Sequence, residues 1–123
     1  MERKTMAAAA VLALALCAVA GAASAETWSA AYTGTVTATY EDGRTAKVFV
    51  EPDHTYTIMP ASGDPIHGTW KDSGSKSCFT ITDPASMAGG APTCLPAKEY
   101  QVGDSFSGKD PSGAFTAVIS GGR

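Results

Sequence analysis

The chain has 123 residues, 9 Lys and Arg against 12 Asp and Glu, a formal net charge of −3, and 3 cysteines. That length suits one domain. With no cluster of Lys and Arg, the sequence argues against nucleic acid, whose phosphates demand basic patches, and against anionic membrane surfaces.

The N-terminal residues read as an export signal. Arg3 and Lys4 supply positive charge, Met6 to about Ala20 is an apolar run of mostly Ala, Leu and Val, and small residues follow at Ala23 and Ala25. A charged start, a short apolar stretch and an A-x-A site are the three parts of a Sec-type signal peptide. Cleavage between Ala25 and Glu26 is expected. This gives a signal over 1–25 and a single β-domain over 26–123, periplasmic or secreted. The apolar run falls short of the roughly 20 residues that cross a bilayer, so no membrane span is expected after cleavage. A lipoprotein signal at Cys17 would need a small residue just before it, and Leu16 stands there. The twin-arginine route is not indicated, because Lys4 follows Arg3.

Removal of Cys17 leaves Cys78 and Cys94, an even pair in an exported protein and so a disulfide. The C-x-x-C spacing of redox-active thiols is absent. Closing a loop of this length contributes about 3 kcal/mol on a chain-entropy model.

Strand signals dominate the mature chain. From Tyr32 to Tyr40, Tyr32, Gly34, Val36, Ala38 and Tyr40 share one face and four threonines the other, which predicts a half-buried strand. The turn Glu41-Asp42-Gly43-Arg44 leads to a return strand over Thr45–Glu51, with Ala46, Val48 and Val50 on one face. After Pro52-Asp53-His54 comes a short strand, Thr55–Met59, with Tyr56 and Ile58 inward. A punctuated loop over 60–65 precedes Ile66–Lys71, where Ile66, Gly68 and Trp70 share a face and His67 and Thr69 oppose them. A turn over 72–75 precedes Lys76–Thr82. Residues 83–92 read as an extended loop that the disulfide ties back to the preceding strand. Glu99–Val102, Asp104–Gly108 and Ala114–Ser120 complete the set, the last two flanking a turn at Asp110-Pro111-Ser112-Gly113. About seven or eight short strands at a spacing of roughly 8–12 residues predict an all-β antiparallel meander, a small barrel or a sandwich. Short connections favour pairing in sequence order.

Tyr56, Gly68-Thr69-Trp70, Ser77-Cys78-Phe79 and Cys94 together resemble the skeleton of a family of small exported bacterial proteins of unknown function. That skeleton runs Asp-Gly-x-Tyr, Gly-x-Trp, Cys-Phe, Cys, and ends in a glycine-rich hairpin. Here Asp53-His54 stands in place of Asp-Gly. A Tyr and Gly-x-Trp pair on adjacent strands also occurs in lipocalin-like β-proteins. The resemblance implies a β-meander with one disulfide and brings no activity. Physically, Tyr56 and Trp70 on neighbouring strands form a stabilising aromatic pair, and Gly68 leaves room for a ring or marks a bulge.

No residue pattern points to chemistry. His54 and His67, with Asp53 and Asp64 near them, lack the three or four convergent ligands of a metal site and read as solvent-facing. Glu41, Asp42, Asp53, Asp64, Asp72, Asp104 and Asp110 sit in turns, where Asp is expected for local hydrogen bonds rather than as half of a hydrolytic dyad. No serine sits in a G-x-S-x-G elbow. The loop over 87–92 reads as a solvated linker or a contact surface.

No catalytic residue, cofactor or metal is therefore expected. The leading expectation is a monomeric, non-catalytic binding module for an envelope protein or a small ligand, with an exposed apolar patch. The alternative is a carrier of small apolar ligands, its cavity lined by Tyr32, Tyr40, Tyr56 and Trp70. A hydrolase of envelope polymers ranks last, because it would need convergent carboxylates or a Ser–Lys pair.

Overall fold

In the alternating segment that starts at Gly34, the small and apolar residues turn inward and the threonines outward. The same division holds for the strands that follow. The computed structural model describes residues 27–123; the expected signal peptide and the Ala25–Glu26 cleavage site lie outside the described residues. Eight strands form in chain order: β1 Gly34–Tyr40, β2 Thr45–Val50, β3 Thr55–Pro60, β4 Ile66–Ser73, β5 Lys76–Asp83, β6 Thr93–Pro96, β7 Ser105–Asp110 and β8 Gly113–Gly121.

They make one antiparallel sheet in the order β6-β5-β4-β3-β2-β1-β8-β7. Pairing follows the chain except that β8 joins β1 and carries β7 around beside β6. The sheet is thus a nearly closed barrel, not a sandwich. Across the β6–β7 seam, Thr93 Oγ1 donates to the Lys109 carbonyl at 3.0 Å. Leu95 packs there over Gly108, where a Cβ would come within 3.1 Å of its Cδ2.

Register follows the apolar pattern, because a slip of one residue would turn every inward side chain out. One inward row crosses four strands as Val36, Val48, Ile58 and Ile66. A second crosses as Val50, Tyr56, Gly68 and Ile81. Gly68 fulfils both expectations raised for it. The β4–β5 register shifts between His67 and Gly68, and a Cβ at Gly68 would meet the Tyr56 ring at 2.6 Å and the Thr80 carbonyl oxygen closer still. Cys78 and Cys94 are register partners on β5 and β6 and form the expected disulfide, with Cα atoms 4.0 Å apart.

Two expected assignments are corrected. Glu99–Val102 is a turn, not a strand. Its Tyr100 is drawn into the core, with the amide bonded to the Thr27 carbonyl at 3.0 Å and the hydroxyl to the Pro96 carbonyl at 2.7 Å. Val102, which a strand would place on the same face as Tyr100, is 57% exposed. The eighth strand is instead β6, which the disulfide holds against β5. Tyr32 lies in the turn before β1 rather than within the strand.

The turns divide the barrel into two ends. The upper end carries residues 27–33, the turns at 51–54 and 74–75, the connection at 97–104, and Arg123. There the Arg123 guanidinium donates to the carbonyls of Gly34, Ala31 and Val50 and pairs with Glu51 at 2.7 Å. The lower end carries the hairpin at 41–44, the loops at 61–65 and 84–92, and the turn at 111–112.

Candidate ligand site at the barrel mouth

The upper end is filled from within. A single 3₁₀ turn, Ser29–Ala31, follows Trp28 and leaves that indole 1% exposed inside the barrel. Trp28 stacks on Tyr100 and meets Phe79 and Phe106 edge-on, at centroid distances of 5.3 and 5.4 Å. Its Nε1 donates to Ser77 Oγ at 2.8 Å, which satisfies the two buried polar groups together. Beside this plug, Trp70 donates from Nε1 to the Glu51 carbonyl at 3.1 Å.

The lower end is built differently. Tyr40 ends β1 with its side chain inward, and its hydroxyl donates to Asp110 Oδ2 at 2.7 Å. Asp110 Oδ1 accepts from the Ser112 amide at 2.7 Å, the local turn bond expected of an Asp in this position. The Arg44 guanidinium lies 5.1 Å from the centroid of the Tyr40 ring and is itself held by Asp42 and the Ser112 carbonyl. Burial, then the bond to Asp110 and its charge, push the Tyr40 hydroxyl well above the ordinary tyrosine range. Burial and the charge of Asp110 push Tyr56 up to about 12.

Two spaces border one another at this end. A mouth of about 210 Å³ is bordered by Tyr40, Arg44, Ile58, Pro60, Ile66 and Ser112. An interior cavity of about 60 Å³ lies deeper, against Val36, Val48, Leu95 and several aromatic rings, and Asp110 is its one acidic wall residue. Tyr40 and Ile58 border both spaces and so stand between them.

Of the four aromatics expected to line a cavity, the structure places only Tyr40 there. The expected Tyr56–Trp70 pair does not form: Tyr56, in register with Gly68, lies over that glycine and packs edge-on against Phe79 at 5.0 Å. Trp70 is buried between the His54 and Phe79 rings, and half-buried Tyr32 flanks it at 6.4 Å. The histidines stay apart. His54 stacks on Trp70, and His67 Nδ1 lies 3.2 Å from Thr57 Oγ1. Among the described residues, no three His, Cys, Asp or Glu side chains converge as metal ligands. Asp42, Asp53 and Asp104 accept from nearby backbone amides of Arg44, Thr55 and Gln101.

Sequence reasoning missed Trp28, Tyr100 and the second role of Asp110. The signal for Asp110 was present: a period of two from Phe106 through Gly108 puts its carboxylate on the inward face of β7. Trp28 and Tyr100 lie in irregular segments, where periodicity gives no direction. The fold and this end together define a small, single-disulfide, all-β meander barrel with an open mouth. No protein-family model, no curated protein and no solved structure matches the chain.

Proposed function

We propose that this chain is a non-catalytic binding module, exported by its N-terminal signal, that takes a small ligand into the lower mouth of its barrel. The observation that carries the reading is the contrast between the two ends. Trp28 and Tyr100 plug the upper end, whereas at the lower end a 210 Å³ mouth and a 60 Å³ interior cavity share Tyr40 and Ile58 as walls. Barrel mouths are a common place for ligand sites, which are mostly apolar with a few placed polar groups and hold roughly 300–1,000 Å³. Both spaces together fall short of that range, so the ligand is small, or one end of a longer molecule.

A protein partner held on an apolar outer patch has less support. Met59 and Val118 are 42% and 43% exposed, but along the outer row Lys47 and Thr37 lie between them. Mass spectrometry of protein purified from an exporting host tests the reading. The denatured mass should match Glu26 onward, less the hydrogens lost in the disulfide, and the native spectrum should show a monomer. Small-molecule probes titrated into that protein should shift the NMR signals of Tyr40, Ile58 and Ile66. If none of them moves those signals, the mouth is not a ligand site and the reading falls.

A further inference from the structure

The wall of the interior cavity has an unusual composition. Trp28, Tyr40, Phe79, Phe106 and Phe115 bring five aromatic rings to it, and Asp110 is its one carboxylate. Asp110 is half-buried, and among the described residues it takes part in no ion pair. The nearby Arg44 is committed to Asp42 and the Ser112 carbonyl. Each Asp110 oxygen accepts one hydrogen bond, from Tyr40 and from the Ser112 amide, and so retains capacity for another. The geometry points to this cavity as a site for an alkylammonium group, with Asp110 as its counter-ion and the five rings as its cage.

Chemistry selects that class. Aromatic faces carry the negative part of the ring quadrupole and attract cations, and cages of such rings recognise methylated ammonium groups. An anion would be repelled by the carboxylate. A metal ion would want several oxygen ligands, and only one acidic side chain is at hand. A neutral apolar molecule would leave the carboxylate uncompensated. An ammonium bearing alkyl groups satisfies both halves of the wall, with charge toward Asp110 and carbon against the rings. Entry past Tyr40 would leave the rest of a longer ligand in the mouth. The inference rests on the mouth-binding reading and specifies its ligand.

The test titrates the purified exported protein with methylammonium and tetramethylammonium chlorides. Sodium chloride serves as the ionic control and tert-butanol as a neutral probe of similar shape. The readout is the NMR signals of the Trp28 indole N–H and the Ile58 methyls. Saturable shifts with at least one ammonium ion are expected, stronger than with tert-butanol. Asp110→Asn keeps an oxygen to accept from Tyr40 and should weaken ammonium binding at least tenfold. Phe115→Leu, which removes one ring without touching the charge, should weaken it severalfold and decides the matter if Asp110→Asn fails to fold. Equal binding of tert-butanol and ammonium ions, or unchanged affinity in the folded variants, overturns the cation site and leaves the mouth-binding reading standing. No response to any of the three probes overturns both.

Discussion

The indole of Trp28 stacks on the Tyr100 ring at a centroid distance of 4.4 Å with 11° between the planes. This contact joins the two irregular segments that close the upper end of the barrel. The backbone reinforces it, since the Tyr100 amide donates to the Thr27 carbonyl. The plug is therefore a structural part of the domain, although it lies outside every strand.

Trp28→Ala should consequently cost about 3–5 kcal/mol, the range for removing a large buried aromatic. Ser77→Ala would leave the buried indole N–H without its acceptor and should cost about 1–3 kcal/mol. Urea unfolding monitored by far-ultraviolet circular dichroism gives both values. A loss below about 0.5 kcal/mol for Trp28→Ala would show that the upper end is not part of the cooperative core.

Much of this fold was legible because strand alternation states which way a side chain points. The faces of Val36, Val48, Ile58 and Trp70 follow from a period of two. The disulfide follows from the two cysteines that remain once the expected signal is set aside. The choice between barrel and sandwich was not legible, because it depends on β8 pairing with β1 at long range. Tyr100 was misplaced because Tyr100 and Val102 mimic a strand pattern, while the ring in fact serves the plug. At the site, Tyr40 was singled out from its face on β1. Asp110 carries a turn signal in the sequence, and a local hydrogen bond and an inward carboxylate leave the same mark there.

The tyrosines should titrate late. Tyr40 lies above the ordinary value of 10.0, and Tyr56 lies at about 12. Burial is the main cause for both, with the charge of Asp110 adding to it. Between the two values the unfolded chain has lost protons that the folded chain still holds, so raising the pH favours unfolding. Stability should be flat in this respect below pH 10 and should fall as the pH rises toward 12. Absorbance titration of the phenolates should show part of the change arriving only with unfolding. Tyr40→Phe should reduce the alkaline loss without abolishing it, because Tyr56 still contributes. An unchanged slope in that variant would place the burden elsewhere.

His54 occupies a position that suits glycine. Its φ is 71°, a left-handed conformation uncommon for residues with a Cβ, though histidine is enriched among them. The ring offsets that cost by stacking on Trp70 at 4.1 Å and by donating from Nδ1 to the Trp70 carbonyl oxygen at 3.1 Å. His54→Gly relaxes the backbone and loses the stack, so the two effects should cancel to within about 1 kcal/mol. His54→Val keeps the backbone cost, loses the stack and adds a β-branch, so it should fall at least about 1–2 kcal/mol below the glycine variant. Chemical unfolding of the three proteins side by side gives the order, and equal midpoints for valine and glycine would contradict this account.

The disulfide acts on the weakest part of the sheet. β6 has only four residues, and the barrel closes beside it through Thr93 Oγ1 and through Leu95 over Gly108. Cys78 and Cys94 hold that strand to β5 from the outer face, across a sequence separation of 16. Replacing both cysteines by alanine should cost about 3 kcal/mol overall. The local consequence is more specific. Without the bond, β6 is held to β5 only by its short strand pairing, and the Leu95 and Thr93 contacts with β7 across the seam weaken with it. Hydrogen exchange should therefore rise first in 93–96, next in 105–110, and last in β1 to β4, whose neighbours on both sides remain paired. A uniform rise across all eight strands would show instead that the barrel opens only by global unfolding, with no independent seam.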